Sequence, residues 1–368
     1  MLKKNVLLQK KNMSKESLVG NYPKIITLWL GLGLVMIFFQ VVIGGITRLT
    51  GSGLSITKWE IVTGTLPPMD EATWEVAFEE YKETPQYKKI NEGMKMKDFK
   101  FIYFWEYFHR LWARTMGFVF ILPFLYFLRK GWLDSFLLKR LGIVVLLAAT
   151  VASFGWIMVA SGLIERPWVN AYKLTLHLSL ALVLFSYLLW TFLLTFKRFP
   201  HVTNILNIRL WTKFLLFVLA FQIILGGIVS GSKAALFYPT WPDMNGQYIP
   251  DVMVEKGSFN IDNFIHYDKN PYFSAWIQFL HRNVAYILTF SILSFIIFYW
   301  KKVDNASYKR WLVVLSSLLV TQVLLGIFTL KNSIYQIPVN LGVAHQAVAL
   351  LLLTTMLVML FSVQTKKL

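Results

Sequence analysis

Seven long stretches of the chain carry no charged side chain: Ile25–Thr47, Leu141–Ile164, Leu174–Phe196, Phe214–Ser232, Asn283–Trp300, Trp311–Leu330 and a run within Asn332–Thr365. A helix that crosses a bilayer needs about 20 mainly apolar residues, and these runs supply it. An eighth run, Thr115–Leu128, is too short alone. It reaches spanning length if its helix begins near Trp105 and carries Glu106, His109, Arg110 and Arg114 in its first turns. The span ending at Trp300 similarly begins near Ala275 and takes in His281 and Arg282. The pattern predicts an all-α integral membrane protein with eight transmembrane helices. The first span is long and no small-residue cleavage site follows it, so it reads as a span and not as a removable leader.

Composition and charge fit this picture. The 368 residues are 56% hydrophobic, 16% aromatic and 15% charged, against about 25% charged in soluble domains. The net charge of +18 would suit a nucleic-acid binder only in a more polar chain, and no nucleic-acid partner is expected. Its distribution is a topology signal. The tail 1–24, the loops around 129–140, 197–213 and 301–310, and the C-terminal end hold 20 Lys/Arg against 3 Asp/Glu; the rest holds 17 against 16. The first set is expected in the cytoplasm (or matrix), with both termini. The connections 48–104 and 233–275 are then external, and the mixed-charge segment 70–100 reads as a surface excursion of short helices. The absence of cysteine excludes disulfides, thiolate metal sites and thiol catalysis.

The two halves repeat one another. Phe39-Gln40 and Gly44-Gly45-Ile46 match Phe221-Gln222 and Gly226-Gly227-Ile228 at an offset of 182, and so do Trp59, Gly64 and Pro68 with Trp241, Gly246 and Pro250. His109-Arg110 matches His281-Arg282, and His177 matches His345, at slightly shorter offsets. Four spans per half give both halves the same orientation. The expectation is a parallel repeat of two four-helix bundles, 25–196 and 210–362, each with an equivalent site between facing helices.

Of six histidines, His201 and His266 fall in loops. His109, His177, His281 and His345 each fall one to two turns inside the external end of a span, roughly 6–9 Å deep. Ionisable residues at membrane depth default to functional hypotheses. Zinc favours tetrahedral donor sets, whereas two imidazoles per bundle among many aromatics fit axial ligation of haem iron better. Arg48, Arg110, Arg114, Arg166 and Arg282 lie near the same surface, where guanidinium forks could hold haem propionates or simply sit at the interface. Trp59 and Trp241 stand out among the aromatics by their repeat.

One asymmetry stands beside the repeat. Glu106 precedes His109 by three residues and so shares its helix face; before His281 the equivalent is the neutral Gln278. A carboxylate in a first turn also suits the helix dipole. One catalytic and one auxiliary haem site is the alternative.

As a set, Gly44-Gly45-x-Thr47-Arg48-Leu49-Thr50-x-Ser52-Gly53-Leu54-Ser55, Glu106-x-x-His109-Arg110, Met158-Val159-x-Ser161-Gly162-Leu163, His177, Gly226-Gly227, Trp241-Pro242-x-Met244-Asn245-Gly246, His281-Arg282 and Ala344-His345-Gln346 resemble the haem A synthase family over about residues 25–360. The resemblance implies oxidation of a ring methyl of haem O to formyl, giving haem A for cytochrome oxidase. It implies that His109 and His177 hold the substrate haem, that His281 and His345 hold haem b, and that Glu106 is the functional carboxylate. The cysteine-free chain looks like the class without a cysteine pair in the first external loop. Candidate partners are haem O synthase, a membrane electron acceptor and a second copy of the chain. A lysine-bearing, arginine-free N-terminal tail favours a bacterial cytoplasmic membrane over the mitochondrial inner membrane. The rival reading is a two-haem electron-transfer subunit that alters neither haem.

Overall fold

A computed structural model describes residues 22–58, 66–163, 166–196, 202–203, 205 and 207–364. Eight helices are long and apolar enough to cross a membrane. These are α1 (Lys24–Leu49), α4 (Met96–Arg129), α5 (Ser135–Gly162), α6 (Ala171–Leu193), α7 (Ile208–Gly231), α10 (Tyr272–Trp300), α11 (Ala306–Lys331) and α12 (Val339–Ser362). Between α1 and α4 lie the short α2 (Glu71–Lys82) and α3 (Pro85–Lys89); between α7 and α10 lie α8 (Asp251–Val254) and α9 (Ile261–Ile265). Extended pairing among the described residues is limited to a two-residue parallel ladder of β1 (Val202–Thr203) with β2 (Val363–Gln364).

Local chemistry sets where the spans start. Asp134, Asn170 and Asn305 each cap a helix with a side-chain oxygen, accepting from Leu137 N at 2.8 Å, Tyr172 N at 2.9 Å and Tyr308 N at 3.0 Å. Such caps satisfy amides that the first turn leaves unpaired, and each contributes about 1 kcal/mol.

In the first half α1 packs on α4 and α6, and α5 packs on α6. In the second half the corresponding α7 packs on α10 and α12, and α11 packs on α12. The halves meet through α6 with α7, α1 with α12 and α6 with α12. The largest buried cluster fills one end of the molecule, where α1 begins and α6 and α12 end, with Ile26, Leu30, Leu188, Ile208, Tyr299, Leu312 and Met356 among its members. Outward-facing apolar side chains such as Leu28, Phe217, Phe290 and Ile297 remain exposed, as a lipid-facing surface requires. One end is therefore sealed by packing, and the histidines lie toward the other.

Two expectations shift. α4 begins at Met96, not near Trp105, because its first turns pack in an aromatic cluster outside the span: Phe99 stacks on Phe78 and Tyr81 at centroid distances of 4.9 and 5.1 Å. The connection before it is thus 50–95, and the last residues of segment 70–100 belong to the long helix. The depth of the histidines also differs. His177 and His345 lie six residues into α6 and α12, about 9 Å, as expected. His109 and His281 lie thirteen and nine residues into α4 and α10, about 20 and 14 Å, since those helices start before Trp105 and Ala275.

Candidate haem-binding site

A cavity of about 1300 Å³ runs between the helices, and its lining includes His109, His177, His281 and His345 together with Glu106 and Gln278. The imidazoles fall into two pairs, His109 with His177 and His281 with His345, each close enough for its members to interact electrostatically. Each ring lies against a glycine. A Cβ at Gly44 would stand 3.3 Å from His109 Nε2, at Gly155 2.9 Å from His177 Cε1, at Gly226 3.1 Å from His281 Cε1, and at Gly326 2.9 Å from His345 Cε1. Any side chain there would displace the ring, so the glycines set the four imidazole positions.

The second imidazole of each pair is oriented by the same device. His177 Nδ1 meets the Val151 carbonyl at 3.1 Å, and His345 Nδ1 meets the Gln322 carbonyl at 3.2 Å. A carbonyl can only accept, so Nδ1 carries the proton in both and Nε2 keeps the lone pair, which in His345 accepts from the Gln322 amide at 3.4 Å. Gln40 and Gln222 donate to the backbone carbonyls of His109 and His281, at 3.3 and 2.9 Å. Among the described residues no group of three or more His, Asp or Glu could enclose a metal ion. Paired imidazoles beside a large, mainly apolar cavity fit a metal that arrives in its own macrocycle, as haem iron does.

The arginines are placed unequally. Arg282 donates through Nη2 to the Tyr238 carbonyl at 2.8 Å and through Nη1 to the Asp243 carbonyl. Arg110 donates to the equivalent carbonyl, Ile56, at 3.4 Å, and pairs with Glu106 at 2.5 Å. Both arginines thus pin the connection that precedes their own helix, α1 to α4 or α7 to α10. Arg48, Arg114 and Trp241 line the cavity. Arg166 does not: it pairs with Asp268, about a hundred residues away in the connection before α10, at 2.6 Å over a separate surface recess. His266 pairs with Asp262 at the surface, at 3.0 Å. Trp59 and His201 lie outside the described residues.

Glu106 is buried in the third turn of α4, beyond the reach of a dipole effect confined to the first turn. Its Oε2 accepts from Ser55 Oγ and from Ile56 N, both at 2.8 Å, and its Oε1 takes the Arg110 contact. The turn after α1 delivers these donors: Gly51 adopts φ +70, a conformation glycine reaches without cost, and Ser52 N then closes on the Thr47 carbonyl at 2.8 Å. Gln278, the counterpart in α10, is also buried but donates its amide to the Tyr238 carbonyl at 2.9 Å. Sequence reasoning did not assign Ser55, Gly155 or Gly326. The pairing of Gly155 with Gly326 at an offset of 171, next to the histidine offset of 168, was the signal for the last two.

Fold and site together define a class: a multi-pass, all-α membrane protein with two pairs of half-buried imidazoles facing one large cavity. The chain matches the COX15-CtaA family, described as cytochrome oxidase assembly protein, over residues 27–357, and it belongs to that family. It is 41% identical over 338 residues to a protein of Flavobacterium johnsoniae, covering 90% of this chain and 96% of the relative. It is 40% identical over 328 residues to one of Rhodopseudomonas palustris, covering 89% and 88%, and 38% identical over 347 residues to one of Nitrosospira multiformis, covering 91% and 92%. Each of these relatives is named Heme A synthase.

Proposed function

We propose that this chain makes haem A by oxidising a ring methyl of haem O to a formyl group. The first half, with His109, His177 and Glu106, takes the substrate; the second, with His281 and His345, holds haem b. The observation that carries the assignment is the buried Glu106, paired with Arg110, beside one imidazole pair and the neutral Gln278 beside the other. The equivalence of the glycine contacts and of the Arg110 and Arg282 contacts supports a duplicated, parallel two-bundle plan. The charge distribution supports termini in the cytoplasm and sites toward the external face of a bacterial membrane.

If His109 and His177 both ligate the substrate iron, no position would remain there for dioxygen. The oxygen is therefore drawn from water. Two electrons and two protons leave for each of two oxidations, first to the hydroxymethyl and then to a hydrate that loses water. Glu106 accepts a proton or stabilises positive charge developing at the methyl carbon, and Ser55, Ile56 N and Arg110 fix its carboxylate. When bound, haem b supplies a one-electron redox centre near the substrate. The electrons pass on to a membrane acceptor, and haem O arrives from the enzyme that makes it.

Acid extraction and mass spectrometry of the pigments in the purified protein test this reading. Haem b together with haem O or haem A is expected. Haem b alone would mark an electron-transfer subunit. Growth in labelled water should place the label in the formyl oxygen, and label from dioxygen instead would overturn the water route.

A further inference from the structure

The wall between the two sites ends, on the side of the external connections, in two cations. Arg48 lies in the last turn of α1, one turn beyond the Gly44 that faces His109. Its Nη2 crosses to the other half and donates to the Ser230 carbonyl in the last turn of α7, while its Nε is buried with no hydrogen-bond partner. Lys233 stands two residues beyond α7, within repulsive range of Arg48, with its ammonium 6.0 Å from the Trp168 ring centroid. Both cations line the cavity. Neither has a carboxylate partner among the described residues.

Two costs meet at Lys233. Its backbone holds φ 55 and ψ 28, the left-handed region, where a helix commonly ends in glycine because other residues are strained there. Desolvation and Arg48 also hold its ammonium below the usual lysine range. Glycine would end α7 more cheaply, so helix termination does not account for the lysine. An anion between the two cations would offset both their repulsion and the unpaired Arg48 Nε.

We propose that Arg48 and Lys233 form a carboxylate clamp, one arm from each half, that grips a propionate of a tetrapyrrole in the cavity. The clamp rests on the haem reading of the cavity. Because its arms come from different halves, it exists only where α1 and α7 are correctly packed, and it ties the position of a bound macrocycle to that packing. Trp168 holds the lysine arm over the cavity through a cation–π contact.

The test uses the full chain in detergent, produced under haem limitation and titrated with haem b and with its dimethyl ester, with Soret absorbance as the readout. The wild type should prefer the free acid by about tenfold or more, as charge-assisted hydrogen bonds imply. Lys233→Gly should lose most of that preference without losing thermal stability, since glycine suits the left-handed position. Lys233→Arg should keep it. An unchanged acid-to-ester ratio in Lys233→Gly, or equal weakening toward both probes, would overturn the clamp. Tight bis-imidazole binding of both probes by the wild type with no preference would sink the clamp alone. A wild type that binds neither probe would remove the haem reading, and the clamp with it.

Discussion

The two imidazole pairs share a frame and differ in what stands next to it. In both halves a glycine on the first helix faces the histidine of the second, and a glycine on the third faces the histidine of the fourth. In both, an arginine one residue past the histidine holds the preceding interhelical connection by a backbone carbonyl. The first half then adds a carboxylate with three donors converging on it; the second has an amide that spends its own donor on Tyr238. A frame of paired imidazoles set against glycines is thus common to both. The carboxylate belongs to one of them.

The largest way to break the comparison is to remove a ligand from one half only. His109→Ala should abolish haem A while leaving haem b in the extracted pigments, whereas His281→Ala should deplete haem b first. Equal loss of both pigments from either variant would deny that the sites have separate occupants. Next in size is Ser55→Ala, which strips one of three donors from Glu106 and leaves the ligands alone. A hydrogen bond to a charged group supports a rate loss of about tenfold, at unchanged haem content, and full activity would show that Ser55 does not position the carboxylate. The smallest effect is expected from Gln278→Glu. A carboxylate there has no hydrogen to give the Tyr238 carbonyl and would draw Arg282 from its carbonyl partners, so the second half should loosen around its haem without acquiring turnover. Modified haem b in its extract would mean that a carboxylate beside the pair suffices.

The spans and the four histidines were legible because both are local patterns: charge-free runs of fixed length, and rare residues in register across a repeat. The neutral Gln278 opposite Glu106 was legible for the same reason. Contacts between residues distant in sequence were not. Ser55 and Ile56 reach Glu106 across some fifty residues only because the turn at Gly51 folds back beneath α4. α4 starts early because α2 supplies Phe78 and Tyr81 to cover Phe99. Arg166, grouped with the propionate candidates by its position beside a span, is taken by Asp268 from the connection between α7 and α10. Lys233 carried no motif; its left-handed backbone and its nearness to Arg48 emerge only in three dimensions.

The difference between the halves rests most heavily on Glu106, and the pigments bound by Glu106→Gln test it directly. The amide keeps the size of the side chain and removes its capacity to take a proton, so haem A formation should fall by about 10²–10⁴-fold. The purified variant should carry haem b at the wild-type level and haem O in place of haem A. Haem A at the wild-type proportion in that extract would contradict the account, because the carboxylate would then serve only to hold Arg110 and the turn above it.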